Sequence, residues 1–342
     1  MQRPVSNPPN PWSSTHVEWL GEPPQAQLTV YEEEARSILA QNDSPDIPFR
    51  WSLNPYRGCQ HACAYCYARP THQYLGFGAG TDFDTRIVVK TNAEALLREA
   101  LSRRGWKREP ITFSGVTDCY QPLEASYGLT RACLEVCVEF AQPIGMITKS
   151  ALIRRDIDVL ARLSKRAAVR VFVSIPYANA ETARAIEPWA AAPAMRFATL
   201  RALSEAGIAC GVAICPMIPG LSDSDIPSIL QQARAAGATT AFMGLLRLPA
   251  EVLPVFEERL RAAFPDRAEK VLSAQRDMRE GKLNEYHFGE RMHGIGPRWD
   301  VIQRLFDVQC ARLGFDVRED APLDGMRPGE AKPATQGVLF EQ

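Results

Sequence analysis

The sequence lacks long apolar runs: no stretch of eighteen or more apolar residues occurs, and residues 1–10 hold no apolar segment typical of a secretory signal. It also lacks an excess of charge, since 39 Lys and Arg stand against 40 Asp and Glu, for a net charge of −1. The first absence argues against a membrane-spanning helix and favours a cytoplasmic protein. The second excludes the overall positive field of proteins that grip nucleic acid chiefly through phosphates, so such a contact requires a local patch.

Cysteine is present, but without the pattern of a disulfide framework. Nine cysteines are spaced irregularly along 342 residues, whereas exported domains held together by disulfides are much shorter and denser in cysteine. The cysteines therefore indicate reduced thiols and metal ligands.

Strand-like apolar segments alternate with amphipathic helical segments between residue 51 and about residue 249. Strands are predicted at 111–115, 143–148, 170–175, 209–215 and 240–246, and helices at 93–103, 130–141, 156–164, 193–206 and 225–236. With one further strand entering Cys59, the alternation predicts an α/β fold, a partial (β/α)6 barrel similar to a TIM barrel. A doubly wound open sheet is the alternative. In a barrel, the carboxyl ends of the strands carry the chemistry.

The flanking regions differ from this barrel in composition. Residues 1–45 are rich in Pro, Ser, Asn and Gln and predict an N-terminal arm with one helical piece around 31–39. The barrel is assigned to 46–250, a helical and charged C-terminal extension to 251–324, and a disordered tail to 325–342.

A compact cysteine motif precedes the second predicted strand. Cys59, Cys63 and Cys66 form CxxxCxxC in a segment without apolar periodicity. A [4Fe-4S] cubane has four irons, so three thiolates leave one iron open to a small molecule, as in other open catalytic metal sites. The alternative is a zinc site that takes His61 or His72 as its fourth ligand.

The motif, with an aromatic residue immediately before the third cysteine and a parallel barrel after it, resembles the radical S-adenosylmethionine (SAM) superfamily. The segments NPYRGCQHACAYCYARP, at 54–70, and VTDCYQPLE, at 116–124, resemble the photolyase-like group related to spore photoproduct lyase. The resemblance implies a [4Fe-4S] cluster on the three cysteines that reductively cleaves SAM to a 5′-deoxyadenosyl radical. It also implies an electron donor of the flavodoxin or ferredoxin type.

The resemblance further implies that SAM is bound at the strand ends. The implied contacts are Tyr65, Ser114, Gly115, Thr117, Lys149, Ser174 and Ile214. Lys149 is positioned to pair with the SAM carboxylate, whereas the family's usual Gly-Gly-Glu on the second strand is absent.

The hydrogen-atom donor of spore photoproduct lyase is a cysteine near the second strand, and Cys119 lies a few residues beyond that position. The resemblance therefore makes Cys119 a candidate catalytic residue, with a non-catalytic loop cysteine as the alternative. Asp118 and Glu124 are expected near the barrel mouth, where they could bind substrate. The remaining cysteines are expected to be buried: Cys133, Cys137, Cys210, Cys215 and Cys310.

Three features concern partners. Basic residues cluster at 98–108, 154–155 and 165–170, and 284–300 mixes histidine, arginine and aromatic residues in a way that suits contact with a nucleic-acid base. The tail from Gln336 to Phe340 resembles the short peptide that docks replication and repair proteins on the bacterial sliding clamp.

These features support three hypotheses. The first is a lyase-like radical SAM enzyme that acts on damaged DNA or another nucleic acid. The second is a non-catalytic iron–sulfur or zinc protein that binds nucleic acid or a replication partner. The third is a radical SAM enzyme that acts on a peptide, tRNA or metabolite, since fold kinship does not fix the substrate.

Overall fold

The structure, a computed structural model, describes residues 27–316. Its strands are β1 (Thr29–Glu33), β2 (Leu39–Gln41), β3 (Trp51–Leu53), β4 (Tyr56–Arg57), β5 (Arg86–Lys90), β6 (Ile111–Phe113), β7 (Ile144–Thr148), β8 (Val169–Ser174), β9 (Ala209–Met217) and β10 (Thr240–Leu245). Its α-helices are α1 (Thr81–Thr85), α2 (Ala93–Ser102), α3 (Glu124–Tyr127), α4 (Leu129–Phe140), α5 (Ile157–Ser164), α6 (Ala180–Ile186), α7 (Pro193–Glu205), α8 (Ile226–Ala235), α9 (Val252–Ala263), α10 (Ala268–Asp277) and α11 (Gly296–Leu313).

Six parallel strands form the body of the larger sheet, in the order β3-β6-β7-β8-β9-β10, and β2 adds an antiparallel edge to β3. Each parallel strand adjoins the next one along the chain. A doubly wound sheet would reverse its strand order at a switch point. The sequential order therefore confirms the predicted partial barrel and excludes the alternative fold.

The predicted helical piece around 31–39 is wrong. Residues Thr29–Glu33 form β1, which pairs in parallel with β5, and β4 completes this second sheet on the other side of β5. The run of glutamates favours a helix locally, but pairing with the buried strand β5 outweighs that propensity. The N-terminal arm therefore contributes strands to both sheets.

The C-terminal region is helical as predicted, with α9, α10 and α11, and α11 packs against α8. Within residues 27–316, no helix is both long and apolar enough to span a bilayer. The predicted disordered tail at 325–342 and its clamp-like segment, Gln336 to Phe340, lie outside the described residues.

Close packing between strands depends on Gly211 in β9. A Cβ atom built there would lie 2.6 Å from Cε1 of Phe172 and 2.7 Å from the carbonyl oxygen of Thr240. The space beside it is filled by the rings of Phe172 and Phe242, which meet edge to face with centroids 4.9 Å apart. Only glycine permits this contact between β8, β9 and β10.

Two apolar cores position the site. The main core lies between the large sheet and its covering helices and includes Ile111, Val171 and Val212. A second core joins Tyr65 of the cysteine loop to residues of the C-terminal extension such as Phe256. The extension is therefore packed against the cysteine loop.

The predicted burial of the remaining cysteines is confirmed at four positions: Cys133, Cys137, Cys210 and Cys310. It is wrong for Cys215, which is partly exposed. This residue lies near the carboxyl end of β9, where Cys215 and Pro216 are partly exposed between buried neighbours.

Candidate active site

The three motif cysteines lie on one loop between β4 and the 3-10 helix Arg69–Leu75. The loop is tightly wound, because the amide of Ala62 donates to the carbonyl of Cys59 and the amide of Cys66 donates to that of Cys63, both at 3.2 Å. Gly58 begins the turn with φ +77°, and a Cβ atom there would lie 2.9 Å from the carbonyl oxygen of Phe83. Glycine is therefore required at this entry point.

The sulfur spacing distinguishes a cluster from a single ion. Among the described residues, the sulfur atoms of Cys59, Cys63 and Cys66 do not all lie within 4.8 Å of one another. A tetrahedral zinc with Zn–S bonds of about 2.3 Å would hold its sulfurs roughly 3.8 Å apart. Thiolates on three different irons of a cubane stand farther apart, so the residues fit a [4Fe-4S] cluster better than a single zinc ion.

Arg69 anchors the cysteine loop from beneath. This fully buried guanidinium donates from Nε and Nη2 to the carbonyl of Cys63 at 3.1 and 2.9 Å, and from Nη1 to those of Ala79 and Gly80. Nη2 also pairs with the carboxylate of Asp84 at 2.9 Å. One side chain thus ties the middle of the cysteine motif to the segment that leads into β5.

The loop that follows β6 holds the cysteine loop from the opposite side. Thr117 Oγ1 donates to the carbonyl of Gly58 at 2.6 Å, and Nε2 of Gln121 donates to the same oxygen at 3.3 Å. Ser114 Oγ accepts the amide of Cys119 at 3.2 Å. Thr117 and Ser114, predicted as SAM contacts, thus have bonds within the protein, and Gly115 beside them has φ +133°, a conformation that favours glycine.

Asp118 is paired within the protein, and its predicted role in binding substrate stays a prediction. Its Oδ1 accepts from Thr148 Oγ1 at 2.7 Å, and its Oδ2 accepts from the amide of Lys149 at 2.8 Å and lies 3.3 Å from Nδ1 of His61. Burial opposes ionisation of Asp118, but His61 outweighs it and lowers the pKa to about 2. His61, which is also buried, is thus held beside the Asp118 carboxylate through Nδ1.

Glu124 is also paired within the protein, and its predicted role in binding substrate stays a prediction. It is fully buried and accepts the hydroxyl of Tyr56 at 2.5 Å and the amide of Thr130 at 2.9 Å on Oε2. Its Oε1 accepts Nη2 of Arg155 at 2.6 Å. Arg155, part of a predicted basic cluster, therefore neutralises a buried carboxylate.

Lys149, immediately after β7, reaches over the cysteine loop. Its Nζ lies 5.6 Å from the ring centroid of Tyr65, a cation–π distance. Burial disfavours its charge, but Cys63 and Glu187 outweigh this effect and raise the pKa of Lys149. The structure therefore brings the Lys149 ammonium group to the cysteine loop, and its contact with the SAM carboxylate stays a prediction.

Beneath Tyr65 lies an ion pair that sequence analysis missed. The Tyr65 hydroxyl donates to one oxygen of Glu187, and Arg196 donates to the other. Arg196 also donates to the carbonyl of Ser174 at 2.9 Å. Glu187 and Arg196 are each 1% exposed, and no motif marks them, because they come from the region around α6 and α7, more than 100 residues after the loop.

Two other residues predicted to contact SAM, Ser174 and Ile214, are a residue bonded to the backbone and a residue of the main core. Ser174 Oγ donates to the carbonyl of Cys215 at 2.9 Å, and the Ile214 side chain is fully buried in the main core. Cys119 is also fully buried there, and burial followed by the charge of Asp118 raises its thiol pKa well above the usual range. Its thiol stays protonated, and its role as hydrogen donor stays a prediction.

Comparison with known proteins identifies the family of this chain. The model of the radical SAM superfamily matches residues 53–233. An uncharacterized protein of Mycobacterium tuberculosis is 41% identical over 217 residues, covering 62% of this chain and 63% of that protein. An uncharacterized protein of Methanocaldococcus jannaschii is 32% identical over 174 residues, covering 51% of this chain and 62% of that protein. The chain thus spans less than two thirds of the length of these curated relatives.

Among solved structures, spore photoproduct lyase complexed with dinucleoside spore photoproduct matches with a TM-score of 0.59 and 16% identity, covering 89% of this chain and 88% of that one. A mutant of spore photoproduct lyase matches with a TM-score of 0.60 and 17% identity, with the same coverage. These likenesses show a shared fold. Because the family model spans more than half of the chain and includes all three cluster cysteines, the chain belongs to the radical SAM superfamily, whose members use a [4Fe-4S] cluster and SAM.

Proposed function

We propose that this protein is a radical SAM enzyme that abstracts a hydrogen atom from a nucleic-acid substrate, in a lyase-like reaction. The observation that carries the proposal is the charged Lys149 ammonium group directly above the loop of Cys59, Cys63 and Cys66 at the open ends of the strands. The nucleic-acid substrate is supported by the shared fold with a lyase bound to a dinucleoside photoproduct.

In this proposal, Cys59, Cys63 and Cys66 would hold a [4Fe-4S] cluster, and the iron without a cysteine would be open to SAM. When bound and reduced by an external donor, the cluster supplies the electron that splits the sulfonium into methionine and a 5′-deoxyadenosyl radical. Lys149 pairs with the SAM carboxylate, and Tyr65, fixed by Glu187, holds the Lys149 stem in place. The packed C-terminal extension excludes water from this side of the loop.

The clearest test of the SAM contact is Lys149→Gln. Removing a charge-assisted bond to a carboxylate costs about 1.5–3 kcal/mol, so we expect the Kd for SAM to rise roughly 10- to 150-fold. Anaerobic calorimetry on the reconstituted protein measures this, with the exposed Lys165→Gln as the matched control. Equal affinities for SAM in the two variants would show that Lys149 does not contribute to the SAM site.

The substrate class is tested by isotope transfer. Oligonucleotides with deuterated sugars and bases, both undamaged and ultraviolet-irradiated, are incubated with reduced protein and SAM, and the mass of 5′-deoxyadenosine is measured. We expect deuterium in the product, because the radical takes its hydrogen from the substrate. Product without deuterium from any DNA or RNA, but with deuterium from labelled peptides or metabolites, would contradict the nucleic-acid assignment and favour the third hypothesis.

A further inference from the structure

Beside the cysteine loop, the described structure gathers arginines that the proposed chemistry does not use. Arg247 follows the end of β10 by two residues, and Arg279 and Arg291 come from the C-terminal extension. The electrostatic effects of Arg247 on Arg279 and of Arg291 on Arg247 show that the three groups are close neighbours. Like charges at this spacing repel unless an anion balances them.

Two of these arginines have protein partners. Arg291 pairs through Nε with the carboxylate of Asp46, and its Nη2 donates to Ser44 Oγ at 2.5 Å. Arg279 is 4% exposed and donates from Nη2 to the carbonyls of Leu246 and Arg291 at 3.2 and 3.0 Å. These bonds fix the backbone around Arg247 and occupy the nearest carboxylate.

Arg247 itself lacks such partners. Within residues 27–316, its one hydrogen-bond contact runs from Nη1 to the Met292 sulfur at 3.7 Å, a weak acceptor, and its Nε is buried with no partner. Burial, followed by the neighbouring Arg291, lowers the pKa of Arg247. A half-buried guanidinium with unsatisfied donors and a cation beside it provides the chemistry of an anion site.

The anion site lies at the mouth of the barrel. Arg247 follows the carboxyl end of β10 by two residues, and Lys149 follows the carboxyl end of β7. The carboxyl ends of the parallel strands gather at one mouth, so Arg247 lies on the same side of the sheet as Lys149. Tyr67, directly after Cys66, donates its hydroxyl to the carbonyl of Gly115 at 2.5 Å and so links the cysteine loop to the end of β6 at this mouth.

Exposed aromatic rings border the arginines. Tyr286 and Phe288 are 61% and 60% exposed. The Tyr286 hydroxyl accepts the amide of Ala250 at 3.2 Å, and the Arg291 guanidinium lies 4.4 Å from the Phe288 centroid. Both rings are thus held at the surface with more than half of their area exposed to solvent, which suits the stacking of unpaired bases.

The basic runs predicted from the sequence are poorer candidates for nucleic-acid contact. On α2, Arg98 pairs with Glu94 and Glu139, and Arg103, immediately after the helix, pairs with Glu99 at 2.9 Å. These pairs make α2 an ordinary solvated face.

We propose that Arg247 binds a backbone phosphate of an unpaired nucleic-acid strand, while Tyr286 and Phe288 stack its neighbouring bases and direct the strand to the cluster. The inference deepens the proposed function and rests on it. An acidic peptide would satisfy the arginine but would leave the two exposed rings without planar partners, so the rings favour a nucleic acid.

The test uses the full-length reconstituted protein and a fluorescein-labelled single-stranded oligonucleotide, with anisotropy measured at several salt concentrations. We expect Arg247→Gln to raise the Kd about tenfold or more and to reduce the log–log salt slope by about 0.7, one phosphate contact. Arg247→Lys keeps the charge and should recover most of the affinity. Arg103→Gln, which changes an exposed arginine immediately after α2, is the matched control.

Three outcomes would overturn the inference. These are an unchanged Kd and slope in Arg247→Gln, an equal loss in Arg103→Gln, and equal competition by polyglutamate with the same dependence on Arg247, which would make the site one for acidic peptides. SAM binding by the wild-type preparation is measured in parallel. If SAM binds but Arg247 is irrelevant, only this inference fails, whereas absence of SAM binding contradicts the proposed function itself.

Discussion

The Cys63→Ala protein, reconstituted with iron and sulfide without oxygen, is expected to hold far less iron than the unmodified protein and to lose its visible cluster absorption. Two thiolates remain, and one iron of the cubane loses its protein ligand. Cys63 is also the residue whose backbone carbonyl accepts two bonds from Arg69, which fix the backbone at this ligand. Iron and sulfide analysis with visible spectroscopy measures the effect.

Cys310→Ala is the matched control, because Cys310 is buried in α11, away from the loop. It should bind iron like the unmodified protein. A Cys63→Ala protein with a full complement of iron and sulfide would contradict the assignment of the cluster to this loop.

The second large effect is on stability. Arg69→Met is expected to lower the free energy of unfolding by about 3–5 kcal/mol, because it breaks a buried ion pair and leaves Asp84 without its partner. It also removes the donors that bind the carbonyls of Cys63, Ala79 and Gly80, so cluster binding should weaken as well. Urea unfolding followed by circular dichroism gives the difference.

Arg98→Met provides the comparison, since it removes an exposed arginine of an ion pair on α2. Exposed pairs contribute little, so its unfolding midpoint should stay close to that of the unmodified protein. Equal midpoints for Arg69→Met and Arg98→Met would show that the buried guanidinium does not hold the loop.

The parallel strands were predictable because both of their faces are buried, which leaves continuous apolar runs such as that of β9 in the sequence. The cysteine loop was predictable because three metal ligands fall within eight residues. The strand β1 was not, because its partner β5 lies more than fifty residues away and overrides a helix-favouring local sequence.

The site beyond the cysteines was harder to predict, because polar residues near strand ends can serve either structure or ligands. Asp118, Glu124 and Thr117 were expected to bind substrate or SAM, and each is also bonded within the protein. Glu187 and Arg247 contact residues that lie far away in the sequence, Tyr65 and Met292. No local sequence pattern predicts such contacts.

The central claim is that the loop of Cys59, Cys63 and Cys66, with Lys149 above it, supports the reductive cleavage of SAM. The most direct measurement follows 5′-deoxyadenosine and methionine by chromatography after reduced, reconstituted protein is given SAM without oxygen. We predict that both products form in equal amounts with the unmodified protein and fall to background in Cys63→Ala. A fully loaded, reduced protein that leaves SAM intact, with a cluster spectrum that SAM does not change, would contradict the claim and favour a structural metal.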